Sequence, residues 1–148
     1  MSRTVSKPAR VEDLIKPGLI GTYAAADHLR AQFDLYNEAI LYFRRPVDFV
    51  FIGDSITQGW DVHTYFGGKT VVNRGIGGDI TPHILRRFPA DVLQLNPDYV
   101  VIKCGINNTW ALDHPLNPPT QEHVDRIRND IVGDIRKMAE LSIEKGIR

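Results

Sequence analysis

Three short stretches of this sequence hold residue types that could do chemistry: Gly53-Asp54-Ser55, Gly75-Ile76-Gly77-Gly78-Asp79 and Gly105-Ile106-Asn107-Asn108. A serine hydroxyl becomes a nucleophile once a base takes its proton. A tight turn into a helix lets that hydroxyl stand clear, with the serine's own N–H among the donors that a first helical turn leaves unpartnered. Glycines let a second backbone N–H come close to a ligand, and an asparagine amide supplies a third donor. Three donors converging near a serine fit the oxyanion of an acyl transfer, where losing one donor costs about 2.7–4 kcal/mol of transition-state stabilisation. Each stretch also has a structural reading. Ser55 by itself could be a helix N-cap, and Asn107 and Asn108 could cap their loop. The glycines from Gly75 resemble a dinucleotide fingerprint only in part, because Ile80 stands where the third glycine is required and the run follows a second strand, not a first.

The elements that must position these stretches are legible from periodicity. Each stretch follows a short apolar run: "VDFVFIG" before Asp54, the strand opening "TVVNRGIGGD", and the strand within "NPDYVVIKCGINN". Such runs, bounded by Pro or Gly, fit strands covered on both faces. Between them lie helical patterns. Residues 24–43 carry Leu29, Phe33, Tyr36, Ile40 and Phe43 at helical spacing, with Arg30, Gln32, Asp34 and Glu38 on other faces. "TPHILRRFPADVLQL" opens with Thr81 as an expected N-cap and Pro82 in the first turn, and Pro89 is expected to divide it into two short helices. The last segment carries Val124, Ile127, Ile131, Ile135, Met138 and Leu141 as one apolar stripe of a long helix. Strands alternating with helices predict a parallel sheet with right-handed crossovers and helices on both faces. In such sheets ligands bind beyond the carboxyl ends of the strands, where all three stretches fall.

Bulk properties narrow the function classes. The 148 residues are 43% hydrophobic, enough for one domain with a core. Residues 1–21, broken by Pro8, Pro17, Gly18 and Gly21, read as an extended lead-in, and 22–148 as a single domain. Eighteen basic residues balance eighteen acidic ones without a basic cluster, so neither nucleic acid nor an anionic membrane is an expected partner. No apolar run approaches the ~20 residues of a membrane span, and the N-terminus lacks an apolar leader core, so the chain reads as cytoplasmic. Cys104 is the sole cysteine, which excludes an internal disulfide, and its apolar surroundings suggest a buried thiol. Asp61-x-His63 and Asp113-His114 could suggest a metal, but polar surface turns produce such pairs by chance, so no metal or other cofactor is expected.

At the three loops a family resemblance is plain. "GDSIT" at 53–57, "NRGIGGD" at 73–79 and "GINN" at 105–108 resemble, in order and approximate spacing, the first three blocks of the GDSL/SGNH hydrolases. These are serine esterases and lipases on a flavodoxin-like three-layer α/β/α sandwich with a parallel sheet. The resemblance runs from about Val47 to the C-terminus. It implies Ser55 as nucleophile and, for the oxyanion, the backbone N–H groups of Ser55 and Gly78 with the side-chain amide of Asn107. Asp54 is expected to tie down the turn. Asn108 stands where many relatives have aspartate. Asp54, Asn108, Trp60 and Trp110 are further candidates for the substrate surround, the tryptophans as pocket walls or as ordinary packing.

The family's fourth block, a C-terminal Asp-x-x-His supplying the base, is not found. The residues three before His28, His63, His83, His114 and His123 are Ala25, Trp60, Ile80, Ala111 and Thr120. Lys145-Gly146 reads as a helix C-cap and Ile147-Arg148 as the approach to another strand. Three strands are few for such a sheet, and the third would expose an apolar edge. The expectation is therefore a domain truncated after the third strand and its helix, completed by further sequence or a second polypeptide. The expected substrate is a small-molecule ester, with short acyl or O-acetylated carbohydrate groups favoured. The alternative is a non-catalytic fragment or pseudo-enzyme serving as a binding or assembly module.

Overall fold

The computed structural model describes residues 13–21, 24–113 and 118–148. Three strands, β1 (Phe49–Gly53), β2 (Val71–Gly75) and β3 (Tyr99–Lys103), form one parallel sheet in the order β2-β1-β3. Central β1 reads FVFIG because both of its faces are covered. Val50 and Ile52, fully buried, point with Val72, Val100 and Ile102 to one face. Phe51, with Phe49, Val71 and Val101, points to the other.

The first face carries the main core. Helix α1 (Arg30–Tyr42) follows a 3-10 turn at Ala25–Leu29, and the short helices α2 (Ser55–Gln58) and α3 (Val62–Tyr65) follow β1. Helix α4 (Thr81–Asp91) and the long α5 (Gln121–Glu144) pack Ile84, Phe88 and Met138 against Val50 and Ile52. Each such side chain contributes about 1.5–3 kcal/mol by leaving water. The second face is covered by α3 and an aromatic group in which Phe51 meets Trp60 edge to face at 5.0 Å and Phe49 stacks on Tyr99 at 5.0 Å.

Three helical expectations change. Residues 24–43 are a 3-10 turn followed by a helix, and α1 buries Arg30, Phe33 and Asn37, while Tyr36 and Phe43 lie exposed. On that face an ion-pair network accompanies Phe33, Ile40 and Leu41, which pack against the core. Pro89 does not divide its segment: α4 runs unbroken to Asp91, because a proline in the last turns forfeits only one backbone bond. Thr81 is the first helical residue and Ile80 the N-cap position, without a side-chain cap. The Thr81 N–H donates instead to Asn108 Oδ1 at 3.1 Å, so a neighbouring loop does the capping.

The C-terminus behaves as the sequence suggests. Gly146, at φ +72°, and Ile147 donate to the carbonyls of Ile143 and Ser142 at 2.9 Å each, closing α5 with a Schellman turn. Arg148 N donates to Asp98 O at 3.1 Å and Val100 N to Arg148 O at 2.7 Å, the bond pattern of a parallel pairing with the β3 edge. Among the described residues no helix is long and apolar enough to cross a membrane.

Candidate active site

Parallel register brings the three loops together. Gly53 pairs with Gly75 on one side and with Lys103 on the other, so the chains leaving β1, β2 and β3 start side by side, about 4.8 Å apart. Gly53 has no alternative there, because a Cβ would collide with the Lys103 carbonyl and the Thr57 hydroxyl.

Ser55 opens α2 and is exposed. Its N–H belongs to the first turn, which leaves such donors without intrahelical partners. The N-cap role falls to Asp54, which is fully buried: its Oδ1 accepts from Ile56 N at 3.0 Å, and both carboxylate oxygens lie 3.2 Å from Lys103 Nζ. The capping oxygen therefore comes from the residue before the serine.

In the second loop, the N–H groups of Gly75 and Gly77 donate to Asn73 Oδ1 at 2.8 Å and to Gln58 Oε1 at 2.6 Å. The N–H of Gly78 has no acceptor among the described residues. Gly78 sits at φ +79°, where glycine is favoured, beneath Ala25 of the N-terminal segment. A Cβ on Gly77 would lie 3.7 Å from the Ser55 Cβ, so this loop and the serine are immediate neighbours.

The third loop begins at Gly105, φ +113°, and turns into a 3-10 helix, Ile106–Leu112. Asn107 is buried, and one of its two amide hydrogens goes to Asp79 O at 2.8 Å, leaving the other to donate. Asn108 braces the loop: its Oδ1 takes the Thr81 N–H, and its Nδ2 donates to Thr81 Oγ1 at 2.9 Å. Thr81 Oγ1 passes the chain on to Asp134 Oδ2 at 2.6 Å. Trp60 is partly packed on Phe51, whereas Trp110 stands 66% exposed at the rim. A cleft of about 400 Å³ opens beside the second and third loops, between Ile80, Pro82, Asn108, Ile127, Asp130 and Asp134.

Beneath the loops lies a buried polar network that sequence reasoning missed. Arg87 of α4 is wholly buried and donates to Asp79 Oδ2 (2.9 Å), Arg74 O (2.9 Å), Asp91 Oδ2 (3.0 Å) and Gly53 O (3.2 Å). Asp91 also takes a bidentate grip from Arg30 at 2.7 and 2.9 Å. Asn37 links Asp91 to Arg74, whose guanidinium lies 4.8 Å over the Phe33 ring. Burial pulls Arg74 down to about 10, still charged at neutral pH. Burial pushes the Asp79 carboxyl above its ordinary value against the pull of Arg87. The available signal was the spacing Ile84-Arg87-Phe88-Asp91, which places an arginine and an aspartate on the apolar face of α4.

No Asp-x-x-His supplies a base in this set. His83 Nδ1 lies 3.4 Å from Asp79 Oδ1, one helical turn away, but that carboxylate is already held by Arg87. Asp61 caps α3 and accepts from the Thr64 N–H and hydroxyl, while His114 falls outside the described residues. Among the described residues no three His, Cys, Asp or Glu side chains gather as a metal would require.

Comparison with known proteins bears on the fold and the family. A GDSL-like lipase from Bacteroides thetaiotaomicron VPI-5482 superposes with a TM-score of 0.62 and 30% identity, over 80% of this chain and 54% of that one. A protein from Bacteroides fragilis NCTC 9343, described as a candidate acylhydrolase, matches with a TM-score of 0.58 and 28% identity, over 86% and 56%. The uncharacterized lipoprotein YqeF of Bacillus subtilis (strain 168) is 35% identical over 81 residues, 44% of this chain and 33% of that protein. The chain thus spans about half the length of these solved structures and a third of that lipoprotein. The model of the GDSL-like Lipase/Acylhydrolase family matches residues 51–144, and to that family this chain belongs.

Proposed function

We propose that this chain carries the nucleophile and oxyanion hole of an ester hydrolase working through an acyl-serine. The observation that carries the reading is the exposed Ser55 at the end of β1, flanked by the Gly77-Gly78 loop and by the loop of Asn107. Ser55 Oγ attacks the ester carbonyl, and the N–H groups of Ser55 and Gly78 with the Asn107 amide hold the oxyanion. Gly78 is favoured over its neighbours because Gly75 and Gly77 spend their N–H groups inside the protein. A histidine from polypeptide outside residues 1–148 takes the serine proton and returns it to the leaving alcohol. Esters with short acyl groups, including O-acetylated carbohydrates, are the substrate class favoured, and the cleft beside the loops offers Ile80, Pro82 and Ile127 alongside Asp130 and Asp134.

The test supplies the base from solution. The 148-residue chain is incubated with a serine-reactive phosphonate in rising concentrations of imidazole, and the labelled residue is mapped by mass spectrometry. Labelling at Ser55 is expected to rise with the neutral fraction of the imidazole and to vanish in Ser55→Ala. No labelling of Ser55, or labelling that falls elsewhere, favours the second reading, a non-catalytic binding module.

A further inference from the structure

From below, Arg87 holds residues that adjoin or bond each part of the proposed oxyanion hole. Its Nη2 holds Gly53 O, two residues before Ser55, at 3.2 Å. Its Nη1 holds Arg74 O, at the end of β2, at 2.9 Å. Its Nε holds the side chain of Asp79, the residue after Gly78, at 2.9 Å. The Asp79 backbone carbonyl in turn receives the Asn107 amide at 2.8 Å. One planar guanidinium therefore links the Ser55 turn, the Gly78 turn and, through Asp79, the Asn107 side chain. Each of these bonds comes from a rigid fork with fixed angles, so moving the fork moves all three donors together.

We propose that Arg87 is a positioning residue that sets the mutual spacing of the Ser55, Gly78 and Asn107 donors, acting through Gly53 and Asp79 without contact with substrate. This rests on the acyl-serine reading above. A lysine at this position keeps the charge and the aliphatic stem but is a point donor, unable to hold two backbone carbonyls and two carboxylates in one plane. A displacement of about 1 Å in such groups costs about 10²-fold in rate.

The experiment compares the ¹⁵N-labelled chain with Arg87→Lys and Asp79→Asn. The readouts are the Gly78 backbone amide and the Asn107 side-chain amide, with the exposed Gly133 and the Ser142 amide of α5 as references. Both variants are expected to keep a cooperative thermal transition and unmoved reference signals, while the Gly78 and Asn107 signals shift. In Arg87→Lys the imidazole-dependent labelling rate at Ser55 is expected to fall about 10²-fold, with the half-saturating phosphonate concentration unchanged. The proposal is overturned if Gly78 and Asn107 keep their wild-type signals in Arg87→Lys, or if the shifts spread evenly to Gly133 and Ser142. Failure of both variants to fold would overturn it equally, because the guanidinium would then be holding the core and not the site. If the wild-type chain is never labelled, the acyl-serine reading fails, and the spectra still decide whether Arg87 places these donors.

Discussion

At the scale of single residues, Cys104 and Ser55 sit at the ends of neighbouring strands with opposite prospects as nucleophiles. Burial pushes the Cys104 thiol up to about 11, and the carboxylates of Asp54 and Asp134 add to the effect. Thiolate is the reacting species, so at about pH 8 alkylation by iodoacetamide should run about 10²-fold slower than for a small free thiol. Mass spectrometry of the modified chain follows the rate, and a rate like that of the free thiol would mean that the β3 end is open to solvent. Ser55 is exposed, and Cys104 is half-buried where the sequence suggested a buried thiol; the turn that carries Ser55 could be read from its residue types. Residues that act by identity at a turn were legible in this way. Residues that act through buried charge were not: Arg86 and Arg87 are adjacent and alike in sequence, yet Arg86 reaches the surface carbonyl of Leu19 while Arg87 is wholly buried. Nothing in the pair "RR" distinguishes them until the helical phase of α4 is set against Ile84 and Phe88.

At the scale of elements, the strands were the easiest to read, because β1 and β3 are apolar along most of their length and β1 and β2 each stop at a glycine that the next turn requires. Helix ends depended on partners distant in sequence. The α4 N-terminus is served by Asn108, 27 residues later, which no local cap rule could find. The α5 N-terminus is local: Thr120 Oγ1 accepts from His123 N at 3.2 Å. Thr120→Ala should therefore cost about 1 kcal/mol in urea unfolding, with the site loops unchanged. Asn108→Ala should cost more than a simple cap, because it strips Thr81 N of its partner, takes from Thr81 Oγ1 the donor it accepts from and leaves it only Asp134, and loosens the loop that carries Asn107. A loss in Asn108→Ala no larger than that in Thr120→Ala would show that water replaces the amide freely. The misreading of α1 has the same origin as that of Arg87, since periodicity placed Arg30 on another face from the apolar residues although it is buried, as is Asn37.

For the whole molecule, the inward-facing charges join the same elements that the apolar core packs together. Arg30 on α1, Arg74 on β2 and Arg87 on α4 meet at Asp91, with Asp34 and Asp79 completing three carboxylates for three guanidiniums. The balance matters more than the count, because breaking one buried pair leaves an uncompensated charge at about 3–5 kcal/mol, within a total stability of about 5–15 kcal/mol. Asp91→Asn is therefore expected to bring the chain close to unfolding near neutral pH. The pH dependence gives the sharper test. Burial alone would raise the Asp91 carboxyl, but the Arg30 hydrogen bonds and the charges of Arg87, Arg30 and Arg74 outweigh it and hold it below its ordinary 3.8. A depressed carboxylate contributes stability above 3.8 and loses it as pH falls through the lower folded value. Asp79 has the opposite sign: its raised value contributes below 3.8 and is lost as pH rises through the folded value, so it partly offsets Asp91 in the wild-type curve. The comparison of wild type with Asp91→Asn removes that offset, since Asp79 is common to both. Urea unfolding should show a gap that is widest near neutral pH and closes as pH falls below 3.8, where the wild-type side chain becomes neutral like asparagine. A gap that stays constant across that range would mean that Asp91 acts through shape and hydrogen bonds alone, and that the three arginines are balanced elsewhere.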